Sequence, residues 1–371
     1  MKSPLLDGHN DTPWRIRREF NSDLESFDFS QSTADIDPLM KTDIPRLRAG
    51  GVGGVFWSVF VPDSWAKDGA SKFVREQIAL VHRLVDKYPD HLEIALTAQD
   101  VRRIHAAGKI ASLIGMEGGH SIDGSLEILR EFHHSGARYL TIAGAETNAL
   151  ADSATGETVH GGLSPLGKKV AREMNRLGMM VDISHASIGT MQAVLDVSDV
   201  PVIFSHSSSR AVCDSPRNVP DDILKIMADK DGVIMITFVN MFLNDDARKH
   251  HDILHKEWKR LKSLYPEDEE KAKEEIRKWE KFNPTPPATM EQIADHIDHV
   301  RNVAGIDYIG IGSDFAGFRT PPFGLEDVSL FPNLFAELMK RGYSSEDLIK
   351  IAGENILRVM NKAANPDSVT I

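Results

Sequence analysis

Short apolar runs recur along the chain, and most are followed by a segment with apolar residues at helical spacing. The runs are continuously apolar rather than alternating, which is typical of parallel strands covered on both faces. We predict eight strands, at 4–9, 52–61, 110–117, 138–144, 179–185, 201–206, 232–239 and 308–314. A ninth, weaker run covers 92–97.

The segments between the runs carry recognisable helix ends. Thr97 and Asp100 have capping-box spacing, and Ser164 followed by Pro165 is a typical helix start. Eight strands alternating with helices predict an α/β fold, specifically a (β/α)8 TIM barrel of the metal-dependent hydrolase type. A doubly wound open sheet is the alternative. The chain has no G-x-G-x-x-G or Walker pattern, which weakens that alternative and any nucleotide-binding hypothesis.

The segment 245–287 departs from this alternation because it is highly charged. Its pattern predicts two exposed helices separated at Pro266, and we interpret it as a helical insertion after the seventh strand. The whole chain, 1–371, is then a single domain. The histidines of the insertion are candidates for metal binding only in principle, because surface histidines on a polar helix usually bind no metal; they are His250, His251 and His255.

Composition narrows the possible functions. A formal net charge of -12 argues against a nucleic-acid partner, and no apolar stretch is long enough to span a membrane. The single cysteine, Cys213, excludes an internal disulfide and a cysteine-based zinc site. No signal peptide is visible ahead of the first run. We therefore expect a cytoplasmic protein, or a periplasmic or secreted one if a leader has been removed.

The predicted strands end in imidazoles and carboxylates, and in a barrel these ends meet at one mouth. The residues are His9 and Asp11 after the first strand, Glu117 after the third, His185 after the fifth, His206 after the sixth and Asp314 after the eighth. Any one of them alone is more often structural or a helix cap. Three imidazoles and two carboxylates together exceed the needs of one catalytic zinc ion and suit two ions bridged by a carboxylate.

The chemistry of such a centre follows from its ligands. Imidazoles favour Zn²⁺ over Mg²⁺, and two ions can hold a hydroxide between them at neutral pH. Asp314 is placed to take a proton from the attacking water and return it to a leaving amine. For Asp182 and His120 the alternative is a cap or a hydrogen-bond partner of a ligating histidine.

The sequence resembles the renal or membrane dipeptidases, peptidase family M19. The matching stretches lie between residue 5 and about 361, and they are "DGHNDTPW", "MEGGHSID", "RYLT", "GLSPLGKKVAREMNRLGMMVDISHAS", "VIFSHSSSRAVCDSPRNVPDD" and "GIGSDF". The resemblance implies one zinc held by His9 and Asp11 and another by His185 and His206. It implies further roles for three residues, with Glu117 bridging the ions, Asp314 as acid/base and Arg217 holding the terminal carboxylate of the substrate.

The expected function is hydrolysis of dipeptides with a free C-terminal carboxylate, through a bridging hydroxide, by a protein that is a homodimer as family members usually are. One alternative is an enzyme with the same two metals that acts on another amide, a β-lactam or a lactone. The other is a descendant of such enzymes that has low activity and binds ligands or partners. They arise because Gly144 stands where the family has a histidine that polarises the substrate carbonyl, with His160 or Asn148 as possible substitutes. Ala316 also stands where a second Asp is usual.

Overall fold

The computed structural model describes residues 3–37 and 39–364 of the chain. Within them, strands and helices alternate. The strands are β1 (Leu5–Asn10), β2 (Val52–Phe60), β3 (Leu92–Ile94), β4 (Ile110–Glu117), β5 (Ala137–Thr141), β6 (Met180–Asp182), β7 (Ile203–Ser207), β8 (Val233–Ile236) and β9 (Ile309–Ile311).

The helices before the charged insertion are α1 (Thr12–Phe20), α2 (Ile44–Ala49), α3 (Ala70–Lys87), α4 (Ala98–Ala106), α5 (Leu126–His134), α6 (Pro165–Leu177), α7 (Ile188–Val197), α8 (Asp221–Asp229) and α9 (Asn240–Leu243). Those that follow are α10 (Asp245–Leu264), α11 (Glu269–Phe282), α12 (Met290–Val303), α13 (Phe331–Lys340), α14 (Ser345–Ile349) and α15 (Asn355–Ala364). No helix of the described residues is long and apolar enough to cross a bilayer.

Eight of the strands close into a parallel barrel. Their order is β2-β1-β9-β8-β7-β6-β5-β4, and the ring closes because β2 also pairs with β4. The ninth run forms only the short strand β3, which pairs with the first residues of β4. It lies on the same side of β4 as β5, which pairs with the later residues of that strand. The predicted (β/α)8 barrel is therefore confirmed, and the open-sheet alternative is wrong.

The predicted helix ends form as the local sequence requires. The Thr97 hydroxyl accepts from the Asp100 N–H at 3.0 Å, and the Asp100 carboxylate accepts from the Thr97 N–H at 3.0 Å. Ser164 accepts from the Gly167 N–H at 3.0 Å at the start of α6. Each cap satisfies N–H groups that a helix start would otherwise leave unpaired.

The barrel interior is filled by side chains, because large residues on some strands face glycines on other strands. Tyr139 on β5 lies so close to Gly115 on β4 that a methyl group there would overlap its ring. Met235 on β8 occupies the equivalent space beside Gly8 on β1. This arrangement places the Tyr139 hydroxyl directly beneath the carboxyl end of β1, where His9 lies.

The charged insertion forms two helices, α10 and α11, as predicted. Their faces are largely exposed, and the buried side chains are few, namely Ala247, Leu261 and Ala272. His250 Nε2 donates to the carbonyl of Asn283 at 2.9 Å, which ties the start of α10 to the end of α11. Together with residues that follow β8 and β9, the insertion lines a cavity of about 500 Å³.

Candidate metal centre and active site

The strand-end residues named from the sequence gather at one mouth of the barrel. His9, Glu117 and His206 are buried, and only 15% of the His185 side chain is exposed. Asp11, directly after β1, is also buried. Parallel strands bring their carboxyl ends to the same edge, which explains how residues so far apart in the chain meet.

Glu117 lies at the centre of the cluster, and its two oxygens face different groups. Oε2 lies 3.3 Å from His9 Nε2. Oε1 lies 3.1 Å from His185 Nε2 and 3.8 Å from His206 Nε2. Ser58 on the neighbouring strand donates to Oε2 at 3.1 Å and fixes the carboxylate orientation. A carboxylate held in this way can contact two cations at once.

His9 is oriented by Tyr139, which the sequence reasoning did not identify. The Tyr139 hydroxyl lies 3.1 Å from the carbonyl of Gly8 and 2.9 Å from His9 Nδ1. Because the carbonyl can only accept, the hydroxyl proton goes to Gly8, and His9 Nδ1–H donates to the phenolic oxygen. His9 Nε2 then faces Glu117, and although burial opposes its charge, Tyr139 and Glu117 raise the pKa of His9 well above its usual value.

His206 is oriented through a serine. His206 Nδ1 lies 2.8 Å from Ser205 Oγ, which donates to Asp182 at 2.6 Å. The serine proton is used in that bond, so His206 Nδ1–H donates to Ser205 and leaves the Nε2 lone pair free. Asp182 also accepts hydrogen bonds from Thr141 and from two backbone N–H groups. It therefore holds a histidine in place and is not itself in the cluster.

His185 and Asp314 reach the cluster through unusual backbone conformations. Their φ angles are +65° and +64°, a left-handed region that residues other than glycine rarely adopt. The resulting turns place His185 Nε2 2.9 Å from His206 Nε2. Strain of this kind persists where the surrounding structure enforces it and is common at functional sites.

Asp314 lies beside Asp11, and together with His9 they offer ligand atoms within 4.8 Å of one another. Burial raises the pKa of Asp314 well above its usual value, and the neighbouring Asp11 charge raises it further. Gly317 makes this pair possible, because a side chain there would lie 2.6 Å from Asp314 Oδ1 and would overlap Asp11. Asp314 can therefore hold a proton that an exposed aspartate would lose.

The electrostatics of the cluster leave electron pairs available to a cation. Burial opposes the charge of Glu117, but the His9 and His185 imidazoles hold its pKa well below the usual range. Burial lowers the pKa of His206 strongly and that of His185 to a lesser extent. The centre thus combines an ionised carboxylate with two imidazoles that tend to be neutral and with His9, which holds its proton more firmly than a free imidazole until a cation displaces it.

The donor set fits divalent cations. His9 Nε2 and Asp11 Oδ1 are buried and make no hydrogen bond. Leaving such atoms unpaired is costly, and a cation would satisfy them together. Among the described residues, two groups of three possible ligands occur, and both lie at this mouth; they are His9, Glu117 and His206, and His9, Asp11 and Asp314. None of the histidines of the insertion belongs to such a group.

Arg217 lies in the loop after β7, with its guanidinium over the Phe242 ring at 5.0 Å. The residue is only 4% exposed, and Nη1 makes no hydrogen bond. Burial lowers the pKa of Arg217 to about 10, although Asp314 and Glu117 attract the charge. A buried guanidinium with a free donor is suited to an anionic ligand group.

The space beside Gly144 is occupied by Asp63, which the sequence reasoning missed. A side chain at position 144 would begin 2.7 Å from Asp63 Oδ1. The two substitutes considered from the sequence are engaged within their own loop, because His160 Nε2 donates to the carbonyl of Asn148 and Asn148 bonds Ile142 and Leu150. Asp63 follows β2, so the strand-end rule applied to the second strand could have found it.

Known proteins are similar along nearly the whole chain. Residues 1–369 match the profile of the membrane dipeptidases, peptidase family M19. Dipeptidase verJ of Clonostachys rogersoniana is 40% identical over 369 residues, with 96% of this chain and 84% of the relative covered. Dipeptidase tcpJ of Claviceps purpurea is 40% identical over 365 residues, with 96% and 76% covered. The solved structure of the probable dipeptidase PvdM from Pseudomonas aeruginosa matches with a TM-score of 0.79 at 27% identity, over 88% of this chain and 89% of that chain.

Proposed function

Because the chain belongs to the membrane dipeptidase family, peptidase family M19, we propose that it is a zinc-dependent dipeptidase. Its substrates are dipeptides with a free C-terminal carboxylate. The observation that carries this proposal is the pairing of the Glu117-centred cluster with a buried guanidinium, Arg217, that has a donor to spare. The first can hold metal ions, and the second can hold the substrate beside them.

We assign the ligands from the orientation of the two Glu117 oxygens. His9 and Asp11 would hold one zinc ion, and His185 and His206 would hold the other, with Glu117 facing both pairs. When bound, the ions would supply an activated water and polarise the scissile carbonyl. Imidazole nitrogens in three of the five positions favour Zn²⁺ over Mg²⁺.

Arg217 sets the position of the substrate in this proposal. Its guanidinium can donate two parallel hydrogen bonds to the terminal carboxylate, and this geometry fixes which amide bond reaches the ligand cluster. A substrate without that carboxylate leaves the buried charge unpaired. The enzyme therefore discriminates against capped dipeptides.

Asp314 moves the proton. Its carboxyl oxygen lies beside Asp11, and burial with that neighbouring charge raises its pKa well above the usual value. A carboxyl group that holds a proton more readily than an exposed aspartate can pass it to the amine that leaves when the amide bond breaks. Asp314→Asn should therefore lose most activity while it keeps the metal content of the native protein.

The test is removal of the metal. Treatment with a chelator should abolish cleavage of a dipeptide such as Leu-Ala, and two equivalents of Zn²⁺ per chain should restore it. Glu117→Gln should not recover, whereas Asp35→Asn, a change at an exposed aspartate elsewhere, should behave as the native protein. Full activity in protein shown by elemental analysis to hold no metal would overturn the proposal.

The alternative substrates are separated by a second comparison. If the enzyme cleaves amides, β-lactams or lactones without a free carboxylate as fast as dipeptides, the assignment of Arg217 is wrong. If it binds two zinc ions and turns over nothing, it is a binding descendant.

We also propose a homodimer, as the resemblance implies. Sedimentation equilibrium should then give twice the mass of the chain, and a monomer mass at micromolar concentration would contradict it.

A further inference from the structure

A second cavity, of about 770 Å³, lies at the same mouth of the barrel on the side of β2, β4 and β5. Its walls come from the loops after these strands, and acidic and polar residues line it, including Asp63, His120, Asp123, Glu146 and Asn148. No lysine or arginine lines it among the described residues. The cavity is therefore a negatively charged space without a cation of its own.

Two acceptors face each other in this cavity without a donor between them. His120 Nε2 donates to the carbonyl of Val61 at 2.9 Å, which leaves Nδ1 as an acceptor in the neutral imidazole. Nδ1 lies 3.4 Å from Asp63 Oδ1 and makes no hydrogen bond, although 95% of the His120 side chain is buried. A donor such as an ammonium group would satisfy both atoms.

The Asp63 charge lacks full compensation. Burial raises the pKa of Asp63, a shift that only a protonated His120 would oppose, and the charges of Glu117 and Glu146 raise it further. Gly144 leaves the Asp63 carboxylate uncovered on the side of β5, because any side chain there would begin 2.7 Å from Oδ1. The carboxylate is thus open to a ligand group.

The topology gives this cavity a place relative to the substrate. In the closed ring, β2, β4 and β5 lie across the barrel from β7, β8 and β9. Arg217 follows β7, and Glu117 ends β4, from where its side chain reaches towards His206 on β7. A dipeptide whose carboxylate is held by Arg217 and whose amide lies at the cluster directs its N-terminal residue towards the cavity.

We propose that Asp63 and His120 form a subsite for a cationic side chain on the N-terminal residue, so that the preferred substrates are dipeptides beginning with lysine or arginine. This deepens the proposed dipeptidase function and rests on it. Hydrogen bonds to charged partners are strong enough for an effect of about tenfold to a hundredfold on kcat/KM. The competing arrangement is an internal ion pair between Asp63 and a protonated His120, which gives no such preference.

The experiment compares Lys-Ala with norleucyl-Ala, which has the same chain length but no ammonium group. The zinc-loaded native enzyme should favour Lys-Ala by about tenfold or more. Asp63→Asn should lower kcat/KM for Lys-Ala about tenfold more than that for norleucyl-Ala and so remove the preference, whereas Asp35→Asn should keep it. Equal kcat/KM for the two dipeptides in the native enzyme overturns the subsite, and a preference that survives in Asp63→Asn overturns its assignment to Asp63.

Two further measurements of binding depend neither on catalytic turnover nor on the Asp63→Asn variant. Ketomethylene analogues, in which CH₂ replaces the amide N–H, cannot be cleaved, and calorimetry should show the same preference for lysine. If that preference appears without any dipeptide hydrolysis, the proposed function fails and the subsite stands. Acetylation of the lysine side chain of the analogue should weaken its binding to the native protein. Equal binding of the acetylated and unmodified analogues, or no binding of either, refutes the subsite.

Discussion

The buried Arg217 side chain should lower the stability of the protein while it helps to bind the substrate, and both effects can be measured. The guanidinium is buried without a carboxylate that pairs with it, and Nη1 has no acceptor. Burying a charge without a partner costs free energy, and a ligand carboxylate would offset that cost. Replacing Arg217 by Met, of similar length and no charge, should therefore stabilise the empty protein and damage its activity.

The magnitude follows from the pKa of Arg217. The fall of the Arg217 pKa to about 10 means that folding disfavours the charged form by about 3 kcal/mol, at about 1.4 kcal/mol for each tenfold change in the protonation equilibrium. Since the residue is charged in both the folded and the unfolded state at neutral pH, this cost is present in the native protein. The contact with Phe242 offsets about 0.5–2 kcal/mol of it. We expect Arg217→Met to raise the free energy of unfolding by about 1–3 kcal/mol.

The activity should change in the opposite direction. Loss of two charge-assisted hydrogen bonds to the substrate carboxylate should lower kcat/KM for a free dipeptide by about a hundredfold or more. A dipeptide amide, already a poor substrate, should be affected little. Urea unfolding at pH 7 and initial rates on both substrates measure the two effects.

Arg210→Met is the matched control, because Arg210 lies in the same loop but is only partly buried and donates to the carbonyl of Ser215. It should change neither quantity by much. If Arg217→Met is destabilised by several kcal/mol, or cleaves the free dipeptide as fast as the native enzyme, the reasoning about a buried unpaired charge is refuted.

Three further substitutions test residues that orient the site or contribute to stability. Tyr139→Phe removes the partner of His9 Nδ1 and should weaken zinc affinity by about tenfold to a hundredfold in competition with a chelator; unchanged affinity contradicts the orienting role. Gly317→Ala should displace Asp314 and lower kcat while the fold, followed by circular dichroism, is retained; native kcat contradicts the tight fit. Burial lowers the pKa of His296 to about 4, below its unfolded value of about 6.5, so its contribution to stability is complete above pH 6.5 and is lost as the pH falls towards 4. His296→Gln should therefore lose less stability than the native protein between pH 7 and pH 4.5 in urea unfolding, and equal losses refute this assignment.

The barrel could be predicted from sequence because its strands are buried on both faces and read as continuous apolar runs. The strand-end cluster followed from the same pattern, since parallel strands end at one edge. The supporting residues could not be found in this way. Tyr139 contacts His9 across 130 positions of the chain, and this contact exists only because the register of the closed barrel places both side chains in the interior.

The conformations of the loops are the other feature that could not be predicted from the sequence. His185 and Asp314 adopt left-handed backbone angles that are uncommon for any residue except glycine, so the local sequence does not predict the turns that orient them. Asp63, three residues beyond β2, could have been found as a strand-end residue, but its position beside Gly144 exists only in the folded protein. Short apolar runs define strands well, but the side chains of the loops depend on packing between distant segments.

We propose that Glu117 lies between two zinc ions at the mouth of the barrel. Anomalous diffraction at the zinc edge, from crystals of protein purified with zinc, would locate these ions. We expect two peaks per chain, one beside His9 and Asp11 and one beside His185 and His206, with the Glu117 carboxylate between them. Zinc bound only at the histidines of the insertion, or no zinc at the mouth, would contradict it.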